Sequence, residues 1–232
     1  MATVPFHSIS EGIWEHSHDI RFCGILLPHR MTVIRMLGEK LLLHSPTRCD
    51  EATVDALSQM GTVTEIIAPN GFHDLFLAEW LLAVPEARLW IPPGMDRYFP
   101  RMSGRVCEIS QDTPWGEVDC APLKGVPRLN EYAFYHAASH ALIVADLLFN
   151  IEENARFATR VVARVGGFYQ RLAMPRDIRW WYVRDRDALK QSVQRIMSFP
   201  FEKIIVGHGA NILSDGRRKF REAFQWLFDD GP

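Results

Sequence analysis

The chain is short of cysteine, of long apolar runs and of net charge, and each shortage removes a class of protein. Its four cysteines, Cys23, Cys49, Cys107 and Cys120, form no C-x-x-C pair. Reduced thiols in a cytoplasmic protein are expected, rather than a disulfide scaffold. Cys23 and Cys120 lie in apolar stretches and read as core filler. No apolar run reaches the roughly 18 residues of a membrane span. The start, Met1-Ala2-Thr3-Val4-Pro5, lacks the basic and then apolar pattern of a signal peptide. With 26 Lys and Arg against 28 Asp and Glu, the net charge is −2, so no nucleic-acid surface is expected. The phosphate-cradling glycine motifs, P-loop and G-x-G-x-x-G, are missing. So is the G-x-S-x-G elbow, which removes Ser45 as a nucleophile. There is no internal repeat and no low-complexity linker.

What is present fits one domain over residues 1–232: 47% hydrophobic and 23% charged residues are ordinary globular values. Apolar patterning predicts strands at 21–27 and 31–37, meeting at Pro28-His29-Arg30, and at 41–43, 63–68 and 88–91. Further strands are expected at 106–109 and 118–122, in a hairpin of 132–136 with 141–145, and at 204–206. Helical spacing covers 51–60 (N-cap Asp50), 72–84 (N-cap Asn70), 152–164, 184–197 and 215–228. The stretch 96–104 reads as irregular, and Thr113-Pro114-Trp115-Gly116 as a turn. Strands with interspersed helices, several joined by tight turns, suggest two helix-covered sheets rather than one doubly wound sheet.

Two strand ends carry the chemistry. Ala141-Leu142-Ile143-Val144-Ala145 stops at Asp146, and Lys203-Ile204-Ile205-Val206 stops at Gly207-His208-Gly209. A buried carboxylate or imidazole is costly unless paired or bound to a metal. His73, after strand 63–68 and in the first turn of the next helix, gains nothing from the positive end of that helix. His73, Asp146 and His208 are therefore the candidate ligands of one divalent metal, with zinc, iron and manganese all suited to the set. His44, closing strand 41–43, is a candidate fourth ligand or outer partner, and Asp74 or His44 would handle the proton. His136 and His140 flank a hairpin turn and are expected to be exposed; His7, His16, His18 and His29 show no ligand spacing. Trp180-Trp181-Tyr182 suits a core, a pocket mouth or a dimer interface.

The order of these motifs resembles the metallo-β-lactamase superfamily. Ala145-Asp146-Leu147-Leu148 is similar to the strand ending in its bridging aspartate, and Val206-Gly207-His208-Gly209 to its final P-G-H-G. His44-Ser45-Pro46 stands where the superfamily has Asp-Thr-Gly or Asp-Ser-Gly, and 67–74 where it has T-H-x-H-x-D-H. Asn70, Phe72 and Leu75 then occupy three motif histidine positions, and Val126 the histidine of G-H-T-P-G. By this resemblance the usual two-metal set is not expected. The broken motif, with Ser45-Pro46 and Ile91-Pro92-Pro93-Gly94, resembles a branch known as a domain of unknown function. The resemblance implies an α/β (α+β) fold, a four-layer αββα sandwich of the metallo-hydrolase type.

Two functions follow as expectations. One is a single-metal hydrolase acting on an ester, thioester, lactone or amide. The other is a degenerate, metal-free relative in which His73, Asp146 and His208 form a polar network and the pocket binds a small ligand or a partner. A redox iron site needs more ligands than the sequence offers. No nucleic-acid or membrane partner is expected, and an exposed aromatic cluster would favour a homodimer.

Overall fold

The computed structural model describes residues 6–22, 24–96, 105–110, 112 and 114–229. The expectations at Met1–Pro5, at Cys23, and on 97–104 and Thr113 lie outside them. Two sheets face each other. The first runs β1(His7–Ser10), β2(Ile13–Phe22), β3(Ile25–Met36), β4(Lys40–His44), β5(Thr62–Ile67), β6(Arg88–Ile91), β7(Val106–Glu108), in that spatial order. It is antiparallel through β4 and parallel from there. The second has the order β11(Lys203–Gly209), β10(Ala141–Asn150), β9(Tyr132–His136), β8(Val118–Pro122). β10 and β11 are parallel and the others antiparallel.

Alternation along the strands builds four layers. Ile34, Leu42 and Ile67 of the first sheet meet Phe134, Ile143 and Ile205 of the second between the sheets. Their strand neighbours point the other way. Leu41, Leu43 and Ile66 lie under α1(Glu51–Met60) and α2(Leu77–Ala83). Leu142, Val144, Ile204 and Val206 lie under α4(Arg186–Met197) and α5(Gly216–Ala223). The remaining helices are α3(Phe157–Gly166) and α6(Gln225–Phe228). The αββα expectation therefore holds, and no helix of the described residues is long and apolar enough to cross a membrane.

Most strands fall where patterning puts them; the departures have local causes. The β1–β2 hairpin was not anticipated, because β2 is polar at most positions. β3 does not break at Pro28-His29-Arg30. Pro28 pairs with Asp19 on one side, in the part of β3 that projects past its pairing with β4, where a missing N–H costs no ladder bond. Helix α2 begins at Leu77 and not near residue 72: Asn70 caps no helix, and its Oδ1 accepts the N–H of Phe72 in a tight turn instead. His73 thus sits in a loop, not in a first helical turn. Helix α3 begins five residues later than expected (157 rather than 152), and the last expected helix is split at Phe224. Asp50 does cap α1, accepting from the Thr53 N–H at 2.8 Å. Cys120 is buried.

Candidate metal centre

β10 does not stop at Asp146. It continues to Asn150 but bulges: Val144 pairs with Val206 and Phe149 with His208, so four residues of β10 lie opposite Gly207 alone. The bulge frees three N–H groups, and one side chain takes them all. Glu131 Oε1 accepts from Ala145 (2.9 Å) and Leu147 (3.2 Å), and Oε2 from Asp146 (2.9 Å). Asn70 Nδ2 adds a fourth contact at 2.9 Å and also reaches Asp146 Oδ2 at 2.9 Å. Burial and the nearby Asp146 charge push the Glu131 pKa up to about 7, against the pull of these donors.

The bulge aims Asp146 at two imidazoles. His73 Nε2 lies 3.3 Å from Oδ2 and His208 Nε2 3.1 Å from Oδ1. Burial penalises the Asp146 charge, but His73 and His208 hold it well below the usual carboxylate range. Burial likewise opposes a charge on His73, yet Asp146 raises its pKa. Gly207 leaves the room for this approach: a Cβ there would lie 3.1 Å from Ala145 Cα and 3.2 Å from His73 Cε1.

A third imidazole joins them. His29, His73 and His208 each offer a ligand atom, and these atoms lie within 4.8 Å of one another. Burial, with His73 and His208 nearby, drives the His29 pKa well below its ordinary value, so it is neutral. Each ring is also tethered on its other side: His208 Nδ1 to Pro28 O (2.6 Å), His29 Nε2 to Pro46 O (3.3 Å), His73 Nδ1 to Ser45 Oγ (2.5 Å). A carbonyl only accepts, so His208 Nδ1 and His29 Nε2 carry protons. The neutral His29 ring therefore keeps its lone pair on Nδ1. His29 Nδ1 is buried with no partner.

The expected residues divide accordingly. His73, Asp146 and His208 come together. His44 does not join them: it is fully buried, edge-on to Phe134, with Nε2 unpartnered, and its pKa falls to about 3 through burial and the His73 charge. Asp74 is exposed and does not line the cavity; it lies in the loop before α2. His136 is buried rather than exposed, hydrogen-bonded to Ser139 at 2.8 Å. His29, Asn70, Ser45 and Glu131 belong to the constellation and were missed. The sequence signal at Asn70 and Ser45 was their place in the broken motifs. His29 and Glu131 gave none, since their roles arise from the β3 overhang and the β10 bulge.

His29, His73, Asp146 and His208 line the inner end of a cavity of about 540 Å³. Its outer walls come from β2, β3, α3 and a single π-turn, Ile178–Tyr182, closed by the Val183 N–H on Ile178 O. Trp180 and Trp181 on this turn are 63% and 66% exposed, so they form a mouth and not core.

A family model described as "Domain of unknown function (DUF4336)" matches residues 10–165. No curated protein matches the sequence. Among solved structures, the chain is similar to the putative diflavin flavoprotein A 5 (fragment 1–254) from Nostoc sp. PCC 7120, at 9% identity and TM-score 0.70, over 97% of this chain and 96% of that one. It is similar to a metallo-β-lactamase from Erythrobacter litoralis with β-mercaptoethanol in the active site, at 15% identity and TM-score 0.68, over 99% and 98%. It is also similar to the flavodiiron core of Flv1 from Synechocystis sp. PCC6803, at 11% identity and TM-score 0.66, covering 97% of this chain but 61% of that one. At these identities the likeness speaks for the fold alone. The fold is that of the metallo-β-lactamases, and the chain belongs to the family described as a domain of unknown function (DUF4336).

Proposed function

We propose that the protein is a metal-dependent hydrolase with one divalent ion held by His29, His73 and His208, Asp146 lying beside it. One observation carries the reading. Three buried imidazoles, His29, His73 and His208, bring ligand atoms within 4.8 Å of one another beside Asp146, and the neutral His29 ring has no partner at Nδ1. Three imidazoles and a carboxylate gathered in a buried site are a donor set that suits a divalent cation such as zinc, iron or manganese. Ser45, Pro28 and Pro46 would orient the rings through their far nitrogens. Such an ion supplies Lewis acidity and makes water nucleophilic near neutral pH. Asp146, held ionised and lining the cavity, would be the group placed to take up a proton released there. The substrate is an ester, thioester, lactone or amide, by chemistry rather than by name.

A second reading rests on Asn70, which stands at a motif histidine position and hydrogen-bonds Asp146 and Glu131. That network is satisfied without an ion in a metal-free binding protein. Metal analysis of untagged protein, with His208→Ala and His29→Ala alongside, separates the two. About one zinc, iron or manganese per chain, lost in both variants, is expected. No metal in any of the three, with folding intact, would overturn the hydrolase reading.

A further inference from the structure

The cavity above the histidines is more selective than the hydrolase reading requires. Its deep walls are Leu27, Phe149 and Phe168, all buried. Val162, Val165 and Trp181 continue the apolar lining towards solvent. Polar groups are confined to the two ends. At the floor are the imidazoles and Asp146; at the exposed rim are Arg176 and Asp177, adjacent and of opposite charge. A ligand's charged or strongly hydrated part would find no partner along the wall, and burying it there would be costly. At about 540 Å³ the space is of ligand size. Phe72 stacks on Tyr182 at 6.1 Å beside the mouth, extending the apolar rim.

We infer that the site takes an ester or thioester whose acyl part is an uncharged apolar chain or ring, lodged between β3 and α3 with its carbonyl at the histidine floor. The inference rests on the hydrolase reading for the reaction, but on the wall alone for the ligand. Hydrolysis adds water across the acyl bond. The acyl carbon gains OH, its bond to the leaving oxygen or sulfur breaks, and the leaving group takes the proton, giving a carboxylic acid and an alcohol or thiol. Each methylene moved from water onto this wall strengthens binding by about fourfold, until the cavity is full.

The test has two readouts. The first is titration with the neutral apolar fluorophore N-phenyl-1-naphthylamine, which needs neither metal nor turnover. Saturable binding is expected, weakened at least tenfold in Val162→Glu, which charges the wall at a half-exposed position. Trp181→Ala, at an exposed site that threatens folding less, should weaken it several-fold. The second is kcat/KM on p-nitrophenyl acetate, butyrate, hexanoate and octanoate with metal-loaded protein, expected to climb along the series and to flatten in Val162→Glu. Binding of the fluorophore without cleavage of any ester would remove the hydrolase reading and keep the apolar site. Cleavage with no chain-length gain, and no fluorophore binding, would overturn this inference and leave the hydrolase reading intact.

Discussion

Glu131 and Asp146 are buried carboxylates that share one amide: Asn70 Nδ2 lies 2.9 Å from an oxygen of each. The arrangement makes Glu131 the keystone of the β10 bulge, since it also takes three backbone N–H groups. Glu131→Gln replaces one accepting oxygen with a donor and strands buried N–H groups. It should lower stability by about 3 kcal/mol. Urea denaturation measures this, and a change below about 0.5 kcal/mol would show that the bulge holds itself.

Ser45 touches the site only through His73 Nδ1. Ser45→Ala should leave folding intact and weaken metal affinity by about ten- to a hundredfold. Competition with a chelator of known affinity reads the change. An affinity equal to wild type would mean that His73 needs no outer partner.

Gly207 is the gap through which His73 approaches β10. Gly207→Ala should displace His73 and reduce metal stoichiometry more than it reduces thermal stability. Full metal loading in this variant would count against His73 as a ligand.

His44 gives the fold an acid weakness. Its pKa drops from 6.5 to about 3 on burial in the native state. As pH falls below about 6.5 the unfolded chain binds this proton and the folded chain does not. Stability is therefore complete above that pH and is lost on acidification, by up to ~1.4 kcal/mol per pH unit. His44→Gln should flatten the loss between pH 6 and about 4 in denaturant titrations, and should keep its metal. An unchanged slope would assign the acid lability elsewhere.

Asp50 caps α1 through the Thr53 N–H, so Asp50→Ala should cost about 1 kcal/mol in stability without altering metal content. A loss of metal in this variant would mean that α1 supports the site directly.

The strands were legible because their residues alternate or run apolar, as in 88–91, 118–122 and 132–136, which the structure reproduces. The approach of His73, Asp146 and His208 could be suspected because polar groups that end apolar runs collect at a sheet rim. His29 could not. Its neighbours Pro28 and Arg30 suggest a break, whereas β3 in fact projects past β4 and carries the ring into the site. Glu131 was equally silent: its function depends on N–H groups released by a bulge that no local pattern announces. His44 and Asp74 were misplaced for the opposite reason. Their motif positions fit, but His44 packs against Phe134 in the inter-sheet core, and Asp74 lies exposed in the loop before α2.

The three imidazoles also set an order of events in time. His29 and His73 come from the first third of the chain, and His208 from near its end. β11 joins them by pairing with β10 and by accepting Arg30 on the Val206 carbonyl, contacts between segments very distant in sequence. Such contacts close late and slowly during folding. A chain still emerging from the ribosome would hold two of these imidazoles but not the third, so the proposed metal site would be complete only in the finished fold.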